Sequence, residues 1–428
     1  MSLTSIISAI GNTNSIYPLL IRDCGIENPT KVLLTYNQNK KESPKIAKLA
    51  TRERFIDEYA VSAVWLGGIP LIDKVCNYFI KKAGYNPDIN LKLFKNNGLQ
   101  NIEENIKNFK GKVPESIIKE LEKAKNNKPM LEKLMAGKFL ASTMIPIALM
   151  GFIIPKFIFA SSAKKIEEQK KKLQANALNN TTNAPENFKK LSDFMNNKKV
   201  SFKGWISSAA NLSTVQKMAV TDGGYAAGRL GTARNKNEVI DIGFKMAGMM
   251  FLNYVAPKYI QKGLDSIING ASDLNVSLDP KMFENKEFLN KISTKTLKLP
   301  TGNTEKEILE FIDKNPNSIF VKFAKQFDKL KMLENGIRDP RAFVEIKELV
   351  NLKDDIAKFA QKASSLDEKA LELFAKRAKT AKSLNILANI VLSSFLLAIA
   401  LPKAQFAFRK LVTKSDLEPG LAPAKKEI

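Results

Sequence analysis

From Ser383 to Pro402 the chain runs 20 residues without a charge, SLNILANIVLSSFLLAIALP. A helix needs about 20 apolar residues to cross the hydrocarbon of a bilayer, so this run is long enough. A second run, Phe139 to Pro155, has 17 such residues and passes into Lys156, Phe157, Phe159 and a lysine block beginning at Lys164. Apolar core, aromatic collar, then basic block is the order in which a span meets the cytoplasmic interface. One shorter run precedes each of these: Tyr59 to Ile72, with 14 residues, and Met246 to Pro257, with 12. Those lengths suit a buried core helix, a re-entrant segment or a short span. The sequence therefore predicts a mainly α, helical integral membrane protein with two to four membrane segments. The alternative is a soluble helical protein whose apolar helices are buried.

Composition narrows the chemistry. The chain has no histidine, which removes the commonest general base and metal ligand and excludes Ser-His-Asp and Cys-His catalysis. Its two cysteines, Cys24 and Cys76, are too few for a zinc site or a disulfide framework. We expect no catalytic residues, no cofactor and no metal, and hence no enzyme. The formal charge of +25 suits an anionic partner such as lipid head groups. The lysines are spread evenly, as on a solvated surface, and no nucleic-acid module is visible. A protein partner or a second copy is the other expected contact.

Two stretches of the chain share an order of elements. The first has TRERFIDE, an apolar helix, NPDINLKLFKNN, VPESIIKELEK and a span ending IIPKFIFA; the second has TARNKNEVID, an apolar helix, ASDLNVSLDPKMFENK, LPTGNTEKEILEFID and a span ending ALPKAQFAF. Asp88, Asn90, Phe94 and Asn96 find counterparts in Asp273, Asn275, Phe283 and Asn285. Self-similarity at one long period is the mark of an internal duplication. The predicted organisation is an N-terminal segment, 1–50, then a first repeat, 51–175, with apolar helix 59–79 and span 139–160. A linker with a Gly/Arg-rich loop follows at 176–232. The second repeat, 233–412, has apolar helix 244–261, span 383–402 and an insertion near 310–375. A disordered tail occupies 413–428. Within the second repeat, Arg341 to Lys382 reads as one long amphipathic helix.

The candidate membrane-interface residues follow from a recurring step in which proline limits or kinks the helix and the next lysine reaches head groups. They are Pro155, Lys156, Phe157 and Phe159; Pro257, Lys258 and Tyr259; and Pro402 and Lys403. The Gly/Arg-rich stretch 221–234 offers Arg229 and Arg234 as weak anion-binding candidates. It lacks a GKS or GKT and matches no GxGxxG, and the plainer reading is a tight turn where helices approach closely. With four spans of parallel repeats, both termini face the cytoplasm of a bacterial-type plasma membrane and 81–138 and 263–382 face outward. With two spans, only 139–160 and 383–402 cross. Because the spans themselves carry only Ser, Thr and Asn, a structural or scaffolding role ranks ahead of a small transport or pore-type protein.

Overall fold

The computed structural model describes residues 2–11, 20–96, 98–174, 214–272 and 277–421. It is all-helical, with no strand among the described residues. Four helices are long and apolar enough to cross a membrane: Pro44–Lys82, Lys128–Glu167, Lys236–Ile268 and Glu368–Thr413. Both of the shorter apolar runs thus lie inside long helices. In the most apolar window of each, only 11 to 33% of residues are buried. Leu71, Phe157, Phe251 and Val391 are all more than half exposed. Exposed apolar surface on this scale marks a surface made for something other than water.

All four helices carry the same irregularity. Ile69, Ile154, Ala256 and Leu401 each donate the backbone N–H five residues back, to Val64, Leu149, Phe251 and Leu396, which makes one wide π-turn. The next residue in every case is a proline: Pro70, Pro155, Pro257 and Pro402. Proline has no N–H, and its ring collides with the carbonyl four residues back. Widening the preceding turn relieves that collision without ending the helix. Of the two expectations for these prolines, ending the helix or kinking it, ending is excluded: the chain stays helical to Lys82, Gln174, Ser272 and Thr413.

The chain divides into two units. One, here the body, comprises Met1–Pro18, Asn77–Met135 and Lys258–Val391. Its core is a phenylalanine cluster in which Phe283, Phe288 and Phe374 surround Phe359 at ring separations of 5.1 to 5.8 Å. The faces Ile308–Leu309–Ile312 and Ile319–Phe320–Phe323 close over that cluster and are buried. Residues 341–382 are not one helix. Ile346–Ala363 ends, and a new helix begins where Asp367 accepts the N–H of Ala370, an N-cap interrupting the periodicity. Segments far apart in sequence are knitted by backbone recognition: Gln100 exchanges two hydrogen bonds with the backbone of Val344, and Asn105 donates to the Pro340 carbonyl. At the other edge, Thr4 and Ser8 of helix Leu3–Gly11 donate to Glu284 and Asp279. The N-terminus therefore lies with residues 279–284, part of the very segment expected to face it across the membrane.

The other unit, the bundle, comprises Leu19–Cys76, Ala136–Pro257 and Leu392–Ile428. Helix Asn28–Lys40 pairs with Pro44–Ala63 across a short turn closed by Ser43, which caps Ile46. Helix Thr214–Gly231 meets Lys236–Met250 in the same way, with Asn235 capping Glu238. Residues 221–231 are thus helical, not a loop; only 232–235 turn. The close approach expected there is present. A Cβ on Gly228 would come within 2.8 Å of the Gly151 Cα, so the two backbones touch, as small residues permit in membrane helices. Within the tail, residues 414–421 fold back on the bundle, where the Glu418 N–H reaches the Asn39 side chain and Asn235 donates to the Pro419 carbonyl. Residues 176–213, 273–276 and 422–428, which hold the rest of the linker and tail and the counterparts Asp273 and Asn275, lie outside the described residues.

Candidate functional site

The bundle buries a layer of paired charges. The first long helix supplies Glu53, Arg54, Asp57 and Glu58, at spacings that put Glu53 with Asp57, and Arg54 with Glu58, on adjoining strips of one face. Facing them, Arg229 donates from Nη1 and Nη2 to both carboxylate oxygens of Asp57, each at 3.0 Å. Arg234 reaches Glu53 with two bonds of 3.0 and 3.1 Å and also grips Glu238, while its guanidinium lies 4.1 Å from the Phe159 ring centroid. From the third long helix Asp241 accepts two bonds from Arg409, on the fourth, and one from Gln405. Arg409 completes its set with Glu418 at 2.7 Å. Glu58 is shared by Arg54, Lys245 and Lys31 at 3.1 to 3.5 Å.

Burial makes this arrangement demanding. Arg409 is 1% exposed and Asp241 4%. Removing two charges from water costs several kcal/mol per ion, and only good geometry with further hydrogen bonds offsets that. Bidentate arginine–carboxylate pairing supplies both. Outside the spans, burial alone would push Glu418 up, but Arg409, Arg54 and Lys245 together hold its carboxyl below the ordinary range. Burial pushes Asp222 up to about 6, against a hydrogen bond from Tyr254 and the field of Arg22.

Two small cavities lie in this layer. One, of about 50 Å³, is bounded by Arg54, Asp57, Arg229, Arg234 and Lys245. The other, of about 100 Å³, is bounded by residues 22–31, Glu58, Trp65, Asp222, Tyr225 and Asn253. Among the described residues no group of three or more His, Cys, Asp or Glu converges as a metal site.

The residues singled out from sequence are distributed as follows. Lys156, Phe157, Lys258, Tyr259 and Lys403 are exposed on the outer surface, while Pro155 and Pro402 are buried and Pro257 half-buried. Phe159 turns inward, under Arg234. Arg229 and Arg234 are brought together with carboxylates of this chain rather than left to an external anion. Asn385 and Asn389 hydrogen-bond Gln261 and Asp265, fixing the fourth long helix to the third within the body. The charged layer itself escaped the sequence reading. Its one signal was local: charges at i, i+4 (Arg54/Glu58, Asp241/Lys245) set directly against apolar runs. No family model, curated protein or solved structure matches the chain.

Proposed function

We propose that this is an integral membrane protein whose four spans form a fixed anchor for a helical extramembrane body that contacts a partner, in preference to a protein that conducts solute. The observation that carries this reading is the charge layer. Its ions are matched largely pair by pair, and its cavities hold about 50 and 100 Å³, room for only a few waters. Such a layer rigidifies a bundle; a transport path needs room and unpaired groups. Exposure of the apolar windows argues against the soluble alternative. Anionic head groups suit the exposed lysines that follow Pro155, Pro257 and Pro402.

The reading includes an internal duplication. With Asp279 taking the place of Asn275 as the counterpart of Asn90, the pairs Pro70 and Pro257, Asn90 and Asp279, Phe94 and Phe283, and Glu115 and Glu305 are separated by 187 to 190 residues. Asn90 and Asp279 each cap a single helical turn ending in that phenylalanine. The register then shifts: Lys128 and Glu368 both start a span helix, which supports an insertion within the 310–375 region, in this reading at about residues 315–367. In this topology the segments 83–127 and 277–367 share one side with helix Leu3–Gly11, and the C-terminus lies on the other, the cytoplasmic side by its basic flanks. Within the bundle, residues 20–43 bury Glu27, Asn28, Lys31, Thr35 and Asn39.

Reconstitution into potassium-loaded vesicles tests the central choice. The anchor reading expects efflux no faster than from protein-free vesicles. Protein-dependent efflux of potassium or of a small dye favours the transport reading and overturns this one.

A further inference from the structure

We propose that helix Leu3–Gly11 dips into the lipid on the body's side of the membrane, with acyl chains covering its outer face; the inference rests on the four-span reading. The helix is inverted relative to one that faces water. Leu3, Ile6 and Ile10 share one strip at helical spacing. That strip points outward, with Leu3 73% and Ile6 40% exposed. Thr4, Ile7 and Ser8 are the buried positions, and the two hydroxyls turn inward to donate to Glu284 and Asp279. A surface helix in water turns its apolar side chains inward and its polar ones outward; this one does the reverse. From Ser2 to Ile21 the sequence has no Asp, Glu, Lys or Arg, so no charge of the helix has to leave water.

A second observation sets its depth. Glu284 accepts from both Thr4 and Lys379, at 2.6 and 2.8 Å. The start of the helix is therefore level with Lys379, just before the charge-free run that opens at Ser383. At the other end, a Cβ on Gly11 would lie 2.7 Å from Ile386 Cδ1, so the helix ends directly against that run. Thr4 to Gly11 and Lys379 to Ile386 are equal steps in sequence, about 10 Å along a helix, and the two segments descend side by side. Ile386 lies about 5 Å beyond Ser383 along the helix axis, the depth at which interfacial helices settle. On the same stretch of the fourth long helix Leu384, Leu387 and Val391 are 59, 41 and 66% exposed. The bilayer that covers those side chains also reaches the strip of Leu3, Ile6 and Ile10, whereas a partner protein would have to displace lipid to do so.

The test places a nitroxide on Leu3→Cys, Ile6→Cys or Ile10→Cys of the full-length chain, in a Cys24→Ala/Cys76→Ala background, in phosphatidylcholine and phosphatidylglycerol vesicles. Collisions with oxygen, which concentrates in hydrocarbon, are compared with collisions with a water-soluble nickel chelate. Val391→Cys serves as the lipid reference and Asn108→Cys, on the body's exposed surface, as the water reference. The oxygen-to-nickel ratio is expected to rise in the order Leu3, Ile6, Ile10, with Ile10 reaching the value of Val391. Should Ile10→Cys fail to fold, Ile6, which is exposed, must still exceed both Leu3 and Asn108. Values at Ile6 and Ile10 equal to that of Asn108, while Val391 reads as lipid, overturn the inference and leave the four spans standing. Shielding of both positions from oxygen and nickel alike means that protein covers the strip, and also overturns it. A water-like Val391 removes the membrane reading and this inference with it.

Discussion

Arg409 and Asp241, 168 residues apart, are joined by two parallel hydrogen bonds of 2.8 and 2.9 Å with both side chains buried. They tie the fourth long helix to the third, beside the stacked rings of Phe244 and Phe408 at 4.6 Å. Arg409→Ala should cost about 3–5 kcal/mol, because it leaves Asp241 buried and uncompensated. The variant Arg409→Met/Asp241→Leu/Glu418→Gln, which removes both carboxylates that Arg409 serves, should recover much of that loss, since a well-packed apolar pair often matches a buried ion pair. Unfolding in detergent checks both. Equal losses in the single and the combined variant would contradict the account.

Backbone contact between Gly151 and Gly228 gives a sharper steric expectation. Gly228→Leu should abolish folding of the bundle, because even a Cβ there meets the opposite backbone at 2.8 Å. Gly223, five residues earlier on the same helix, has nothing within 4 Å of its Cβ position. Gly223→Ala should therefore stabilise, by about 0.5–1 kcal/mol from helix propensity. Yield of monodisperse protein and Tm separate the two.

The acid limb of stability should depend on Glu418. Its carboxyl is held below the ordinary value of 4.5 by Arg409, Arg54 and Lys245, which outweigh its burial. A depressed folded value means that the stabilisation is present above the unfolded value and is lost as pH falls through the folded one. Glu418→Gln should be less stable than the wild type at pH 7, with the gap closing below about pH 4.5. A gap unchanged down to pH 3 would contradict the assignment.

Phe359 tests whether the body has its own core. Phe359→Ala should cost about 3–5 kcal/mol and expose residues 83–127 and 277–367 to protease. Membrane association, which rests on the four long helices, should survive. Limited proteolysis of washed membranes reads both at once.

These sites also explain what could and could not be read from the sequence. The runs at 139–155 and 383–402 were legible because length without charge is a local property. The runs at 59–72 and 246–257 stayed ambiguous because Asp57 and Glu58, or Asp241 and Lys245, close in on them. Those charges are matched by Arg229, by Lys245 and by Arg409, partners more than 160 residues away, so no sequence window shows them neutralised. Gly223, Gly224 and Gly228 suggested a turn because glycine breaks helices in water; at a crossing of packed helices the missing side chain is what allows contact, as at Gly224 and Gly228. Lysine and proline composition made 413–428 look disordered, while Glu418 is drawn in by an arginine of the preceding helix. The break at 364–367 was hidden because apolar spacing runs on through it, and only the Asp367 cap marks it.

The most direct measurement is the sidedness of single cysteines in a Cys24→Ala/Cys76→Ala background, labelled with a membrane-impermeant reagent before and after permeabilisation. Four spans place Asn108→Cys and Lys414→Cys on opposite sides, and the hydrogen bonds of Thr4 and Ser8 to Glu284 and Asp279 place Ser2→Cys with Asn108→Cys. The account predicts that the first two label together and oppositely to the third. Labelling of Asn108→Cys and Lys414→Cys from the same side would mean two spans, and labelling of all three without any membrane barrier would remove the membrane reading altogether.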